Sequence, residues 1–272
     1  MPELPEVETI VTGLKPNLEG KLIHDVQVFN KRTITNPKDI EGFVATIKKT
    51  TINEVTRKGK YIDIILDNKM HLIIHLRMTG QLIYSNKEMD FTHLRAMFKL
   101  DNGLLYFNDI RKFGTISLLH QDELLLEKGY HTLGVEPLSN EFSDCYLKEK
   151  IKGTRPVKNF ILDQTVIAGL GNIYADECLF LANINPKRPV NTLDDMEITL
   201  LVDAIKEVLS KAIENRGTTF SDYKDSYGGK GENQNFLKVY GRGKEDCFKC
   251  GKKLSSDKIG GRTTVFCLDC QK

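Results

Sequence analysis

No apolar run in this chain approaches the ~20 residues that a membrane-spanning helix requires, and one of the longest, Leu72 to Leu76, is interrupted by His75. A secretory signal, with its basic start and apolar stretch, is missing as well, because the chain opens on Met1-Pro2-Glu3-Leu4-Pro5-Glu6. These absences give the expectation of a cytoplasmic protein. Low-complexity and strongly biased segments are lacking, and 40% hydrophobic with 28% charged residues is an ordinary globular composition that argues against disorder. Charge of one sign is barely in excess: the net +2 by itself points to no partner. Cysteine is sparse before the C-terminal tail, where only Cys145 and Cys178 occur, so metal binding in a reduced compartment is favoured over a disulfide framework.

What is present divides into unlike segments. A length of 272 residues permits two domains, or one domain plus a small module. From Glu6 to Leu18 the apolar positions Val7, Ile10, Val11, Leu14 and Leu18 recur at three- and four-residue steps, which predicts an amphipathic helix. Short β-branched runs follow at Leu22–Phe29, Val44–Val55, Tyr61–Leu66, His71–Leu76, His93–Leu100, Leu104–Phe107 and Thr115–Leu119. Turn signals such as Asp101-Asn102-Gly103 separate them, so an antiparallel sandwich or barrel is expected. Helical periods return from Asp122. Helices are predicted over Pro156–Gln164, Asn172–Ala182 and Thr192–Asn215, and the Gly- and Ser-rich stretch 216–231 reads as a mobile loop. The Gly134-Val135-Glu136-Pro137-Leu138-Ser139 stretch marks the joint.

Two Cys-x-x-Cys knuckles, Cys247/Cys250 and Cys267/Cys270, stand 16 residues apart, with room for a β-hairpin between them. Four thiolates in one tetrahedron make a closed, structural zinc site. The alternative, four bare thiols in a tail too small to bury a core, is physically poor. Residues 238–272 carry nine Lys or Arg against four Asp or Glu, leaving the rest of the chain at −3. A basic module suits phosphate contact, although a solvated tail explains the charge as well. The Gly169-Leu170-Gly171 turn lacks the third glycine and the preceding strand of a dinucleotide site. It leaves Asn172 as the expected N-cap of a helix whose first amides can hold a phosphate, or that is simply capped.

Pro2 becomes a secondary amine once Met1 is removed, and an α-amino group of pKa ~8 is roughly a tenth neutral at pH 7. Such an amine can attack a sugar carbon and form a Schiff base. Proline followed by glutamate is also an ordinary helix start, and taken alone that is the favoured explanation. The wider pattern changes this balance. The opening Met1–Thr9 (MPELPEVET), the Arg57–Tyr61, His75–Gly80 and Asp109–Gly114 segments, the run Leu162–Glu177, Val239–Arg242 and the cysteine tail together resemble bacterial formamidopyrimidine-DNA glycosylases, in order and along the whole chain.

The resemblance implies an α+β multidomain fold. Residues 1–135 would form an N-terminal helix and antiparallel β-sandwich, residues 136–237 a helix-two-turns-helix domain with a lesion-capping loop, and residues 238–272 a four-cysteine zinc ribbon. It implies a base-excision repair enzyme, probing damaged double-stranded DNA as a monomer in the bacterial cytoplasm and nucleoid, with DNA in the cleft between domains. Such an enzyme would remove 8-oxoguanine and formamidopyrimidines and then nick the abasic site by β,δ-elimination. Carried over by position, Pro2 is the nucleophile at C1′, Glu3 the neighbouring proton carrier, Lys60 a proton-transfer and phosphate lysine, and Arg262 the ribbon arginine of δ-elimination. His75, His93 and Asn172 match DNA-contacting positions, whereas the plain alternative for the two histidines is a strand end. Glu6, Thr219 and Tyr240 fall in the lesion pocket.

A glycosylase must extrude its target nucleotide at a cost of a few kcal/mol and fill the gap, and Met78, Arg111 and Phe113 match the residues that do so. Periodicity alone would bury Met78 and Phe113. Three departures from the family pattern concern loops: Arg216-Gly217 in place of a Gly-Gly pair, Asn183-Ile184-Asn185-Pro186 in place of Gly-Ile-His-Pro, and Leu268 where a proline often follows the third cysteine. The rivals are the endonuclease VIII branch, which prefers oxidised pyrimidines, and a catalytically silent zinc-ribbon DNA-binding protein. The Leu4–Val7 opening and the Arg111/Phe113 pair favour the purine branch, and the complete set of Pro2, Glu3, Lys60 and Arg262 argues against a silent protein.

Overall fold

The computed structural model describes residues 1–272, the side chain of Lys128 excepted. The chain opens with α1 (Leu4–Leu18) and β1 (Leu22–Val28), then β2 (Ile34–Asn36), α2 (Ile40–Ile47), β3 (Thr50–Lys58), β4 (Tyr61–Leu66) and β5 (Met70–His75). β6 (Gly80–Ser85), β7 (Leu94–Leu100), β8 (Gly103–Asp109), β9 (Thr115–His120) and the short α3 (Lys128–His131) complete the first half. The second half carries α4 (Asp144–Lys150), α5 (Val157–Ile161), α6 (Asn172–Leu181), α7 (Asp195–Glu214) and the hairpin β10 (Ser255–Ile259) and β11 (Arg262–Phe266). Among these, no helix is long and apolar enough to cross a membrane.

Packing divides the chain into two units, Met1–His131 with Asn215–Glu232, and Thr132–Glu214 with Asn233–Lys272. In the first, nine strands run in the order β2-β9-β5-β4-β3-β1-β7-β8-β6. Every pairing is antiparallel except β2 with β9. Buried residues from the far ends of the sheet, Leu82 on β6 and Leu118 on β9, share one apolar cluster with Val7, Ile10, Val11 and Leu14 of α1. The sheet therefore folds over as a sandwich around a core that the helix stripe enters. The loop 215–232 packs with this unit, although the sequence division at 136–237 had grouped it with the helices. Tyr223 Oη donates to the Glu6 carbonyl (3.4 Å), Tyr227 Oη to that of Gly13 (3.0 Å), and Tyr84 N to that of Ser226 (2.9 Å).

One expected strand begins as helix. Residues 40–47, overlapping the start of the Val44–Val55 run, form α2, because Asp39 accepts the Glu41 amide at 3.1 Å as an N-cap and Phe43 and Ile47, four apart, are both buried. The chain then reverses at Lys49, whose φ is +65°, into β3. Strands β2 and β6 and helix α4 are additional to the predicted set. In the second unit the four-cysteine segment shares a cluster with α6, in which Phe180, Val239, Cys247, Leu254, Val265 and Cys267 are buried together.

Candidate functional site

At the start of α1, Pro2 is buried and Glu3 only 2% exposed, while Met1 is 54% exposed. Glu3 N donates to Glu6 Oε2 at 2.8 Å, and the other Glu6 oxygen accepts Thr218 N at 2.7 Å. The expected lesion-pocket residue Glu6 is thus a buried bridge between the helix start and the loop. Gly217 makes this possible: its φ is +76°, and a Cβ there would lie 2.8 Å from Glu6 Oε1. Its neighbour Arg216 occupies the left-handed region at φ +58°, which explains why a glycine suits that position. The arginine is held there by an ion pair with the buried Asp225 carboxylate. Asn183, the other departure, is also left-handed, at φ +59°, a conformation asparagine tolerates. Thr219 Oγ1 accepts Gly231 N at 2.9 Å and so pins the two ends of the loop.

Lys60 lies in the tight turn between β3 and β4 after Gly59 (φ +57°), and it is largely buried. Close by at the same sheet end is His75, only 7% exposed, with the Tyr61 ring edge-on at 4.5 Å between centroids. His75 Nδ1 accepts the Arg77 amide at 2.9 Å, so the ring proton is on Nε2 and the imidazole can donate from there. Burial, then the charges of Arg77 and Lys60, push the His75 pKa down to about 3, and the ring is neutral at physiological pH.

The three expected gap-filling residues are brought together. Met78 and Phe113 are exposed, against their hydrophobicity. Arg111 Nη1 donates to Met78 Sδ at 3.2 Å, and the Arg111 guanidinium sits 4.9 Å from the centre of the Phe113 ring. Their carrier is Asp109, a residue that sequence reasoning missed. Buried at 1% exposure, its carboxylate accepts Thr79 Oγ1 at 2.5 Å, Gly114 N at 2.8 Å and Arg111 N at 3.2 Å, tying both loops to one anion. His93 joins the same corner through its carbonyl, which accepts Asp109 N at 3.0 Å.

In the second unit the expected capping role of Asn172 is corrected. Gly171 is the N-cap of α6 and Asn172 the first helical residue, with its Nδ2 donating to the Thr263 carbonyl at 3.1 Å. The side chain prefers the hairpin acceptor because β11 runs beside the helix start. Its Oδ1 is buried with no partner among the described residues. Arg262 opens β11 and is exposed. Beneath it Lys158 and Asp176, both fully buried, pair at 2.6 Å, and Lys158 Nζ also donates to Thr264 Oγ1 at 2.7 Å. Glu177 accepts the amides of Lys238, Val239 and Tyr240 at 2.8 to 2.9 Å, which fixes Tyr240 beside the hairpin. Charged residues inside the apolar Leu162–Glu177 run were the available signal for both carboxylates.

The ligand atoms of Cys247, Cys250, Cys267 and Cys270 all lie within 4.8 Å of one another and could hold one metal ion. Cys247 to Cys270 is 3.9 Å and Cys250 to Cys267 3.5 Å. A tetrahedral zinc with bonds of about 2.3 Å requires about 3.8 Å between sulfurs.

These features define a class: an α+β protein with a helix-led β-sandwich and a helical unit carrying a four-cysteine ribbon that could hold one metal ion. The formamidopyrimidine-DNA glycosylase N-terminal domain matches residues 1–116, and the H2TH domain of the same enzymes matches residues 133–224. The formamidopyrimidine-DNA glycosylase of Pelotomaculum thermopropionicum is 44% identical over 100% of this chain and 99% of its own length. That of Bacillus licheniformis is 41% identical over the full length of both. Among solved structures, Lactococcus lactis Fpg with an abasic site containing DNA superposes with a TM-score of 0.91 at 36% identity, covering 99% of each chain. The wild-type Lactococcus lactis Fpg with an oxidized pyrimidine containing DNA superposes at 0.90 and 35%, covering 100% of each. The chain belongs to the formamidopyrimidine-DNA glycosylase family.

Proposed function

We propose that this protein acts in base-excision repair as a DNA glycosylase for oxidised purines, 8-oxoguanine and formamidopyrimidines, and as a lyase at the abasic site it creates. The observation that carries the mechanism is the buried start of α1, where Pro2 and Glu3 are held in place by the two-sided Glu6 carboxylate. A capping box accounts for the reciprocal Glu3 and Glu6 contacts but does not require both carboxylates to be almost wholly buried, since burial of an ionisable group costs stability. With Met1 removed, the Pro2 nitrogen attacks C1′ and expels the base as the bond from C1′ to the base nitrogen breaks. Burial favours the neutral, nucleophilic amine. Glu3 passes the proton needed as the sugar ring opens to the iminium, and loss of the C2′ proton then breaks the bond to the 3′ phosphate. Lys60 and the Nε2–H of neutral His75 hold backbone phosphate, as do Asn172 and Arg262 in the other unit.

Met78, Arg111 and Phe113 fill the gap left by the extruded nucleotide, and Thr219 belongs to the loop that receives it. The ion in the cysteine ribbon is zinc; bound, it stabilises the hairpin that presents Arg262 and takes no part in bond breaking. The enzyme works as a monomer in the cytoplasm and nucleoid.

Reduction with borohydride on abasic or 8-oxoguanine duplex should freeze the imine onto Pro2, because only an amine forms a reducible Schiff base. Peptide mapping of the adduct to a lysine would overturn the assignment. The lesion panel should include an oxidised pyrimidine, since the Lactococcus lactis relative has been crystallised with DNA containing one.

A further inference from the structure

The loop 215–232 is clasped onto α1 twice. At the helix start Thr218 N donates to Glu6 Oε1 at 2.7 Å. Further along the helix Tyr227 Oη donates to the Gly13 carbonyl at 3.0 Å and accepts Asn17 Nδ2 at 2.8 Å. This approach needs the bare Gly13, where a Cβ would collide with Ser226 Oγ. Tyr227 leaves a tight turn built on one carboxylate. Asp225 Oδ1 accepts Tyr227 N at 3.0 Å and Gly229 N at 2.7 Å, while Asp225 N donates to the Gly229 carbonyl at 2.9 Å and Gly228 N to the Asp225 carbonyl at 3.0 Å. The Asp225 side chain is only 4% exposed, and its cationic partner among the described residues is Arg216, which pairs with Oδ2.

Arg216 joins the two clasps. Its backbone is left-handed at φ +58°, where glycine would be less strained. That conformation turns the Arg216 carbonyl to Tyr223 Oη at 3.1 Å, and the same hydroxyl lies 3.4 Å from the Glu6 carbonyl. It also starts the chain toward the Thr218 amide that Glu6 accepts. The strained hinge is held by its side chain, because the guanidinium neutralises an anion that would be costly to leave buried and unpaired.

We propose that Arg216 and Asp225 form a latch for the reaction: by fixing the hinge of the loop they hold the Glu6 carboxylate, and through it Pro2 and Glu3, in place for attack on the sugar. Both are positioning residues that act through Glu6. The proposal rests on the reading of the protein as a DNA glycosylase.

The test uses the full-length protein in saturating excess over DNA, with borohydride trapping on duplexes that carry an abasic site or 8-oxoguanine, and anisotropy on a tetrahydrofuran duplex for affinity. Asp225→Asn keeps the Oδ1 acceptor but can turn an amide donor toward the guanidinium. Its trapping rate should fall about three- to tenfold on both duplexes, with Kd within about twofold of wild type. Arg216→Gly suits the backbone yet strands the buried carboxylate, and its rate should fall alike. Arg216→Lys should recover most of the rate, since a single contact to Oδ2 is within the means of an ammonium. The double variant Arg216→Gly/Asp225→Asn should be no slower than the slower single, because the pair acts as a unit. Wild-type rates in Asp225→Asn, a loss confined to the 8-oxoguanine duplex, weaker binding at an unchanged rate, or losses that multiply in the double variant would each overturn the latch. Should Asp225→Asn fail to fold, Arg216→Gly and Arg216→Lys decide: a fall in the first with recovery in the second supports the latch, and equal rates in both and in wild type overturn it. A wild type that forms no adduct would refute the glycosylase reading itself, whereas a trapped wild type with unaltered variant rates refutes the latch alone.

Discussion

His75 is a buried, neutral imidazole whose cost and use are both measurable. Its folded pKa is depressed from 6.5 to about 3, so the folded protein stays unprotonated where the unfolded chain begins to bind a proton. The stability tied to this difference is fully present above the unfolded value and is lost as pH falls toward the folded one. Between about pH 7.5 and about pH 5.5 the proton occupancy of the unfolded ring rises from roughly a tenth to roughly nine tenths, which integrates to about 1.4 kcal/mol. His75→Asn removes the titration while its amide oxygen can still accept the Arg77 N–H now bound by Nδ1. Urea unfolding followed by circular dichroism at the two pH values should therefore show wild type losing about 1.4 kcal/mol more than the variant. Equal losses would refute the buried neutral ring, and with it the argument that Nε2–H is a donor at physiological pH. At pH 7.5, where that ring is neutral in both states, the two proteins should differ only by packing.

Arg111→Ala should abolish the preference for cytosine over adenine opposite the lesion, about ten- to a hundredfold in the wild type, because a guanidinium donates to both acceptors of cytosine but meets an amino donor on adenine. Single-turnover excision from duplexes differing in that one base decides it, and an unchanged ratio would remove Arg111 as the reader. Cys250→Ser should release the metal and weaken DNA binding together, measured by metal analysis and anisotropy; one ion per chain with full affinity would place the ion elsewhere. Gly217→Ala forces a side chain into φ +76° and against Glu6 Oε1. It should cost about 1–3 kcal/mol and slow adduct formation, since the Glu6 bridge must shift. Thermal melting and trapping kinetics would show otherwise if either is unaffected.

By itself the sequence determined what depends on neighbours along the chain. The stripe from Val7 to Leu18 made a helix, the alternating runs made strands, and the cysteine spacing alone brought four sulfurs within reach of one ion, because knuckles and hairpins are local geometry. Motif matching, not periodicity, suggested that Met78 and Phe113 are exposed, since hydrophobicity by itself argues for burial. Helix α2 was hidden because its i, i+3, i+4, i+7 pattern of Ile40, Phe43, Val44 and Ile47 is only two turns long and runs straight into the β-branched residues of β3, so the Asp39 cap and the turn at Lys49 separate the two.

What the tertiary structure decided lies in pairs far apart in sequence. Glu6 bridges to Thr218, Asn172 turns from capping to the Thr263 carbonyl, Asp109 gathers Thr79, Arg111 and Gly114, and Lys158 meets Asp176 and Thr264 in a fully buried pair. In each case a buried polar group must find a partner or lose about 1–3 kcal/mol. Which partner it finds is fixed by how strands, helices and the hairpin pack, and a linear pattern carries no record of that.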